Sequence, residues 1–175
     1  MIYLDNAATT RYKPCKVLTE LMKETYRSSN PGRSAYKEAL DSAMRVFECR
    51  EFLSNSLGGG DIIFTKNCTE ALNIGIFGLP LFGQVVTTVF EHNSVLRPLH
   101  ELQSRGKITL KILKPNETGL IQADKLMEAL EKPTSLFVIN ETSNVTGATQ
   151  NLSELCCLAQ KSGARVLVDA AQSMG

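Results

Sequence analysis

At 175 residues, 43% hydrophobic and 21% charged, the chain has the usage of an ordinary globular protein long enough for a sizeable core. Its 19 basic and 18 acidic residues leave a net charge of +1, which argues against a nucleic-acid or membrane-surface binder. No apolar stretch approaches the ~20 residues needed to span a bilayer, and the start, "MIYLDNAATT", has neither the basic nor the apolar region of a signal peptide.

Two periods alternate along the chain. From Pro14 to Ser28, residues Val17, Leu18, Leu21, Met22, Thr25 and Tyr26 recur at helical spacing, and "NPGRS" (Asn30 to Ser34) breaks the pattern as a turn. A second helix is predicted from about Ala35 to Leu57, with Ala39, Ala43, Val46, Phe47 and Leu53 near one stripe and Gly58-Gly59-Gly60 ending it. "DIIFT" follows as a short apolar strand and "TEALNIGIFGL" as a helix opened by Thr69. "QVVTTV" is a strand, Asn93 to Arg105 a helix despite its internal Pro98, "ITLKILK" a strand and "NETG" a turn. Gln122 to Glu131 is a helix and "SLFVIN" a strand. Asn151, with Glu154 three residues on, resembles a capping box opening the last helix. That helix has Leu152, Leu155, Cys156 and Ala159 as its stripe, ends at Gly163, and leads into the strand "RVLVD". Five strands alternating with helices predict an α/β fold, a mainly parallel sheet with helices on both faces.

The five cysteines (Cys15, Cys49, Cys68, Cys156, Cys157) are odd in number and form no C-x-x-C pair. They read as reduced thiols, with neither a disulfide frame nor a zinc site, and the expected location is the cytoplasm.

Four stretches at strand ends could carry chemistry, because ligands of open α/β sheets sit outside the carboxyl ends of the strands. In "FTKNCTEALN" a polar loop enters a helix whose free N–H groups, with the Thr69 hydroxyl, suit a phosphate; the plain alternative is N-capping by Thr69. In "FEHNSVLRP", His92 could stack on an aromatic cofactor or move a proton, or be an ordinary loop residue. "NETSNVTGATQ" offers the Asn144 amide, or is simply a polar loop turning at Gly147. In "VDAAQS", Asp169 ends a strand beside two small alanines, with Gln172 three residues on; the alternative is a carboxylate capping the next turn.

Taken together, "YLDNAATT", "NPGRS", "FTKNCTEALN", "EHNSV", "SNVTG" and "VDAAQS" resemble the class V aminotransferase family of pyridoxal-phosphate enzymes, and within it the cysteine desulfurases and selenocysteine lyases. The resemblance implies the large domain of a fold-type-I pyridoxal-phosphate-dependent transferase. It also implies pyridoxal 5'-phosphate as cofactor and L-cysteine as substrate, giving alanine and an enzyme-bound persulfide. A homodimer and a sulfur-acceptor protein are implied as partners. By resemblance, Thr69 and the N–H groups around Cys68 hold the cofactor phosphate and His92 stacks on the pyridine ring. Asn144 lies near the ring hydroxyl and substrate carboxylate, Asp169 pairs with the ring nitrogen, and Gln172 bonds the ring hydroxyl. Asp5, Asn6 and Ala7 lie near the same site.

Some residues depart from the family pattern. Asn67 and Cys68 stand where relatives usually carry small residues, and Tyr36 where they often have His. The family's Schiff-base lysine, catalytic cysteine, carboxylate-binding Arg and small C-terminal domain follow the Asp-x-x-Gln strand; Lys66 and Lys107 are not in the lysine's position. Residues 1–175 are therefore expected to be an N-terminal segment plus most of the large domain, inactive alone. The alternatives are another reaction on the same cofactor (transamination, selenocysteine lysis) or an inactive cofactor-binding or interaction fragment.

Overall fold

Six helices and four strands form among residues 2–33 and 35–174, the residues that the computed structural model describes. Ser34, the last residue of the expected "NPGRS" turn, lies outside them; Pro31 to Arg33 do turn or bend. The chain divides into two compact units, residues 1–64 and 65–175.

The first unit holds α1 (Cys15–Arg27) and α2 (Lys37–Ser56). An ion pair joins them, Arg45 Nε to Glu24 Oε2 at 2.7 Å. The Ser29 N–H donates to Ser42 Oγ at 3.0 Å, on one of the two buried positions of α2. Leu57 closes α2, and Gly58, Gly59 and Gly60 follow at φ of 81°, 106° and 104°, a left-handed run that side-chain-bearing residues resist. The expected strand "DIIFT" does not form: residues 61–65 pair with no other strand among the described residues. A strand is a pairing as much as a composition, and these apolar residues have no ladder to join. Ile63 is 75% exposed, and Phe64 is capped by the Arg50 guanidinium at 5.4 Å.

In the second unit the order is α3 (Cys68–Gly78), β1 (Gln84–Thr88), α4 (Asn93–Ser104), β2 (Thr109–Leu113), α5 (Ala123–Leu130), β3 (Thr134–Asn140), α6 (Leu152–Lys161) and β4 (Arg165–Asp169). The strands form one wholly parallel sheet in the order β2-β1-β3-β4. Alternation along each strand feeds two cores. Val85, Leu136 and Val138 face Leu72 and Ile76 of α3 and Val95 and Leu99 of α4. Val86, Phe137 and Ile139 face Leu126 of α5 and Leu155 and Ala159 of α6. Because both faces are covered, β1 and β3 are buried along their full length.

This topology creates a switch point. From β1 the chain leaves through α4 on one face, and from the adjacent β3 it leaves through α6 on the other. The carboxyl ends of β1 and β3 therefore part their loops, which is where such folds hold ligands.

Two expected details change. Asn151 precedes α6, but its side-chain amide donates to Glu154 Oε2 at 2.9 Å and caps no backbone group. Pro98 sits inside α4 and is buried there. Proline has no N–H, so the Ser94 carbonyl four residues earlier loses its helical donor. The Asn73 amide of α3 takes that carbonyl instead, donating from Nδ2 at 3.4 Å.

Candidate functional site

The N-terminus of α3 is capped one step earlier than the sequence suggests. Asn67, not Thr69, is the N-cap: its Oδ1 accepts the Glu70 N–H at 2.9 Å, and Glu70 Oε2 accepts the Lys66 N–H at 2.7 Å. This reciprocal pair resembles a capping box. It frees Thr69 from that duty and makes Cys68 and Thr69 the first two helical residues. Their N–H groups have no acceptor within the helix and sit at the positive end of its dipole, and both residues are exposed.

His92 is the N-cap of α4, a role that the usual Ser, Thr, Asp and Asn preference hides. Its Nδ1 accepts the Ser94 N–H at 3.1 Å and lies 2.8 Å from Ser94 Oγ. A ring nitrogen that accepts a backbone N–H carries no proton, so the neutral imidazole keeps its proton on Nε2. Ser94 Oγ in turn lies 2.7 Å from Thr69 Oγ1. Thr69, Asn73, His92, Asn93, Ser94 and Arg97 line an open cleft of about 390 Å³.

Asp169 ends β4 and is 4% exposed. Its Oδ1 accepts the Ala171 N–H at 3.1 Å, the turn-capping bond, and also receives the Cys68 thiol at 3.6 Å. Leu167 of β4 lies against Gly75 of α3, so this helix reaches over the sheet to the β4 edge. The Cys68 thiol is pushed above its ordinary range by burial first and by the neighbouring Asp169 charge second.

Glu91 is the residue that sequence reasoning missed. It follows β1 at the switch point and is 6% exposed. Its Oε1 accepts the Thr88 hydroxyl at 2.8 Å and the Asn140 N–H at 2.9 Å, tying the ends of β1 and β3 together. Its Oε2 and the Asn140 Oδ1 are buried without a hydrogen-bond partner among the described residues. Burial lifts its pKa to about 7; the two hydrogen bonds oppose the rise, and the Asp169 charge adds to it. Asn140 and Asp169 are register partners on β3 and β4, which explains that influence. The available signal was a carboxylate beside His92 directly after a buried strand.

Of the six expected site residues, the structure gathers four in two linked contacts, Cys68 with Asp169 and Thr69 with His92 through Ser94. Asn144 lies exposed in the loop after β3, in the turn closed by the Gly147 N–H donating to the Ser143 carbonyl at 2.9 Å. It shares no hydrogen bond with those four among the described residues. Gln172 lies exposed in the turn after β4.

With this geometry in view, the comparisons with known proteins are decisive at the level of family. The model described as aminotransferase class-V matches residues 2–175. The chain belongs to that family. This class V chain is 34% identical over 180 residues to a probable cysteine desulfurase of Methanothermobacter thermautotrophicus, covering 99% of itself and 44% of that relative. It is 30% identical to a probable cysteine desulfurase of Treponema pallidum, spanning 98% of itself and 45% of the relative. Among solved structures, the apo cysteine desulfurase of Thermococcus onnurineus NA1 superposes with a TM-score of 0.88 at 28% identity, over 98% of this class V chain and 44% of that one. A protein called SspA, solved in complex with cysteine, matches with a TM-score of 0.88 at 30% identity, over 98% and 51%. The class V chain thus spans about half the length of the proteins it matches, and its four-stranded parallel sheet is part of their fold.

Proposed function

We propose that this chain forms the cofactor cradle of a pyridoxal-phosphate enzyme of the cysteine desulfurase type, acting on L-cysteine. The observation that supports it best is the Cys68–Asp169 contact at 3.6 Å. It sets a helix N-terminus suited to a phosphate beside a buried carboxylate suited to a protonated ring nitrogen. The donor set fits both ends of that cofactor, with N–H groups and a hydroxyl at one and a carboxylate at the other. L-cysteine as substrate rests on the names of the relatives and on the neighbour solved with cysteine.

When bound, pyridoxal phosphate supplies an electron sink for bond cleavage in an amino acid. This chain's residues then have distinct tasks. The Cys68 and Thr69 N–H groups, with the Thr69 hydroxyl, bind the phosphate. Asp169 holds a proton on the ring nitrogen through a charge-assisted bond worth ~1.5–3 kcal/mol. His92 orients the ring by stacking and presents the proton on Nε2. Asn144 and Gln172 serve the ring hydroxyl from the loops after β3 and β4. Transamination and selenocysteine lysis would use the same cradle.

We further infer self-association, because among the described residues β2 and β4 are the two edges of the sheet, each with no strand on one side. A homodimer acting in the cytoplasm and passing sulfur to an acceptor protein is the corresponding cellular reading. A single monomeric mass by light scattering across the micromolar range would overturn the association.

The binding test uses pyridoxamine 5'-phosphate, whose amine cannot form a Schiff base with surface lysines. Calorimetry on the chain is expected to find binding that inorganic phosphate competes and that Asp169→Asn weakens by roughly ten- to a hundred-fold, the equivalent of that bond. Equal affinity of a folded Asp169→Asn variant overturns the cradle.

A further inference from the structure

We infer that Ser94 is a positioning residue which couples an anion bound at Thr69 to the hydrogen bonding of the His92 ring. Nδ1 of His92 accepts the Ser94 N–H, so it bears no proton of its own. In the 2.8 Å contact between Ser94 Oγ and Nδ1 the hydroxyl must therefore be the donor. A serine has one hydroxyl proton, so in the 2.7 Å contact with Thr69 it is Thr69 Oγ1 that donates to Ser94 Oγ. The relay runs one way, from Thr69 to Ser94 to His92.

That direction matters for an anion. Without ligand, the Thr69 proton points at Ser94, and Thr69 presents only lone pairs to anything approaching the α3 N-terminus. An anion that takes the Thr69 O–H leaves two hydroxyl oxygens 2.7 Å apart with no proton between them, a repulsive arrangement. The two side chains relieve it by moving apart, and the Ser94 hydroxyl, no longer polarised by the Thr69 donor, donates more weakly to His92 Nδ1. No proton changes its heavy atom, and His92 Nδ1 keeps the Ser94 N–H while its bond from the Ser94 hydroxyl weakens. Ser94 is 7% exposed, so water does not readily take over either bond. The residue next to the N-cap of α4 thereby reports occupancy at the start of α3.

The coupling rests on the proposed anion seat only for the ligand arm of its test. The readout is the nitrogen NMR spectrum of the imidazoles, simple here because the chain has two histidines and His100→Gln leaves one. Inorganic phosphate, followed at the Cys68 and Thr69 amides, is expected to move the His92 Nδ1 resonance in the direction of a weakened hydrogen bond. In Ser94→Ala, which lacks the hydroxyl donor, the resonance lies further in that direction and does not respond; Ser94→Thr, which keeps a hydroxyl, restores the response. Amides that titrate while His92 Nδ1 stays still overturn the coupling. If phosphate does not bind, the anion seat fails, and the relay is judged without ligand. Thr69→Val must weaken the bond at Nδ1, because Ser94 loses the donor that polarises it, and Thr69→Ser must restore it. An unmoved resonance in folded Thr69→Val overturns the relay.

Discussion

The Asn73 side-chain amide and the Ser94 carbonyl are joined across α3 and α4 because Pro98 leaves that carbonyl without a helical donor. The same amide donates to the Thr69 carbonyl at 2.8 Å, so one side chain braces the first turns of both helices that bound the cleft. A helix defect thus becomes an inter-helix tie at the site.

That tie makes a double-mutant prediction. Asn73→Ala should cost about 1 kcal/mol, the ordinary worth of a hydrogen bond to a carbonyl left otherwise unpaired. In a Pro98→Ala background the backbone N–H returned to position 98 serves Ser94, and the same Asn73 change should cost much less. Urea denaturation of the four proteins measures the coupling. An equal cost in both backgrounds would show that Pro98 is not the reason for the bond.

Glu91 should make the protein less stable as pH rises. Its folded pKa, about 7, lies above the ordinary 4.5, so over that interval the folded state holds a proton that the unfolded state has released. Stability is full below 4.5 and falls through about 7, by roughly 3–3.5 kcal/mol in all at about 1.4 kcal/mol per unit. Glu91→Gln keeps the acceptor for Thr88 and Asn140 and cannot ionise, so its stability should be nearly flat over that range. Urea midpoints measured against pH decide it, and a wild-type curve rising through the same window would refute the assignment.

Cys68 should be a slow thiol for its exposure. Only the thiolate reacts with alkylating agents, and both burial and the Asp169 carboxylate disfavour it. Alkylation by iodoacetamide, mapped by mass spectrometry, should lag behind that of the exposed Cys15 and Cys49. Asp169→Asn removes the charge and should speed Cys68 several-fold while leaving the other two unchanged. An unchanged Cys68 rate would argue against the thiol–carboxylate contact.

Turnover is not expected from these 175 residues alone. Arg97 lines the cleft, but no lysine does. Incubation with L-cysteine and pyridoxal phosphate should release no alanine or sulfide above the level of the free cofactor. Protein-dependent release, abolished by Thr69→Ala, would show that the chain is catalytically sufficient.

Much of this was determined by the sequence itself, because it was local. Short apolar runs bounded by turns produced four of the five expected strands, and period-3.6 stripes produced all six helices to within two residues at each end. Asp169 and His92 could be set at strand ends because a strand followed by a polar break has only one place for the next side chain. Residues 61–65 show the limit: their composition suits a strand, yet a ladder needs a neighbour that composition does not specify. The order β2-β1-β3-β4, and with it the switch point, was decided by which helix covers which face. Only packing could bring Cys68 to Asp169 across 101 residues, Thr69 to Ser94 across 25 and Glu91 to Asn140 across 49. Those contacts depend on helix placement and strand register to within an ångström, a scale at which apolar periodicity carries no information.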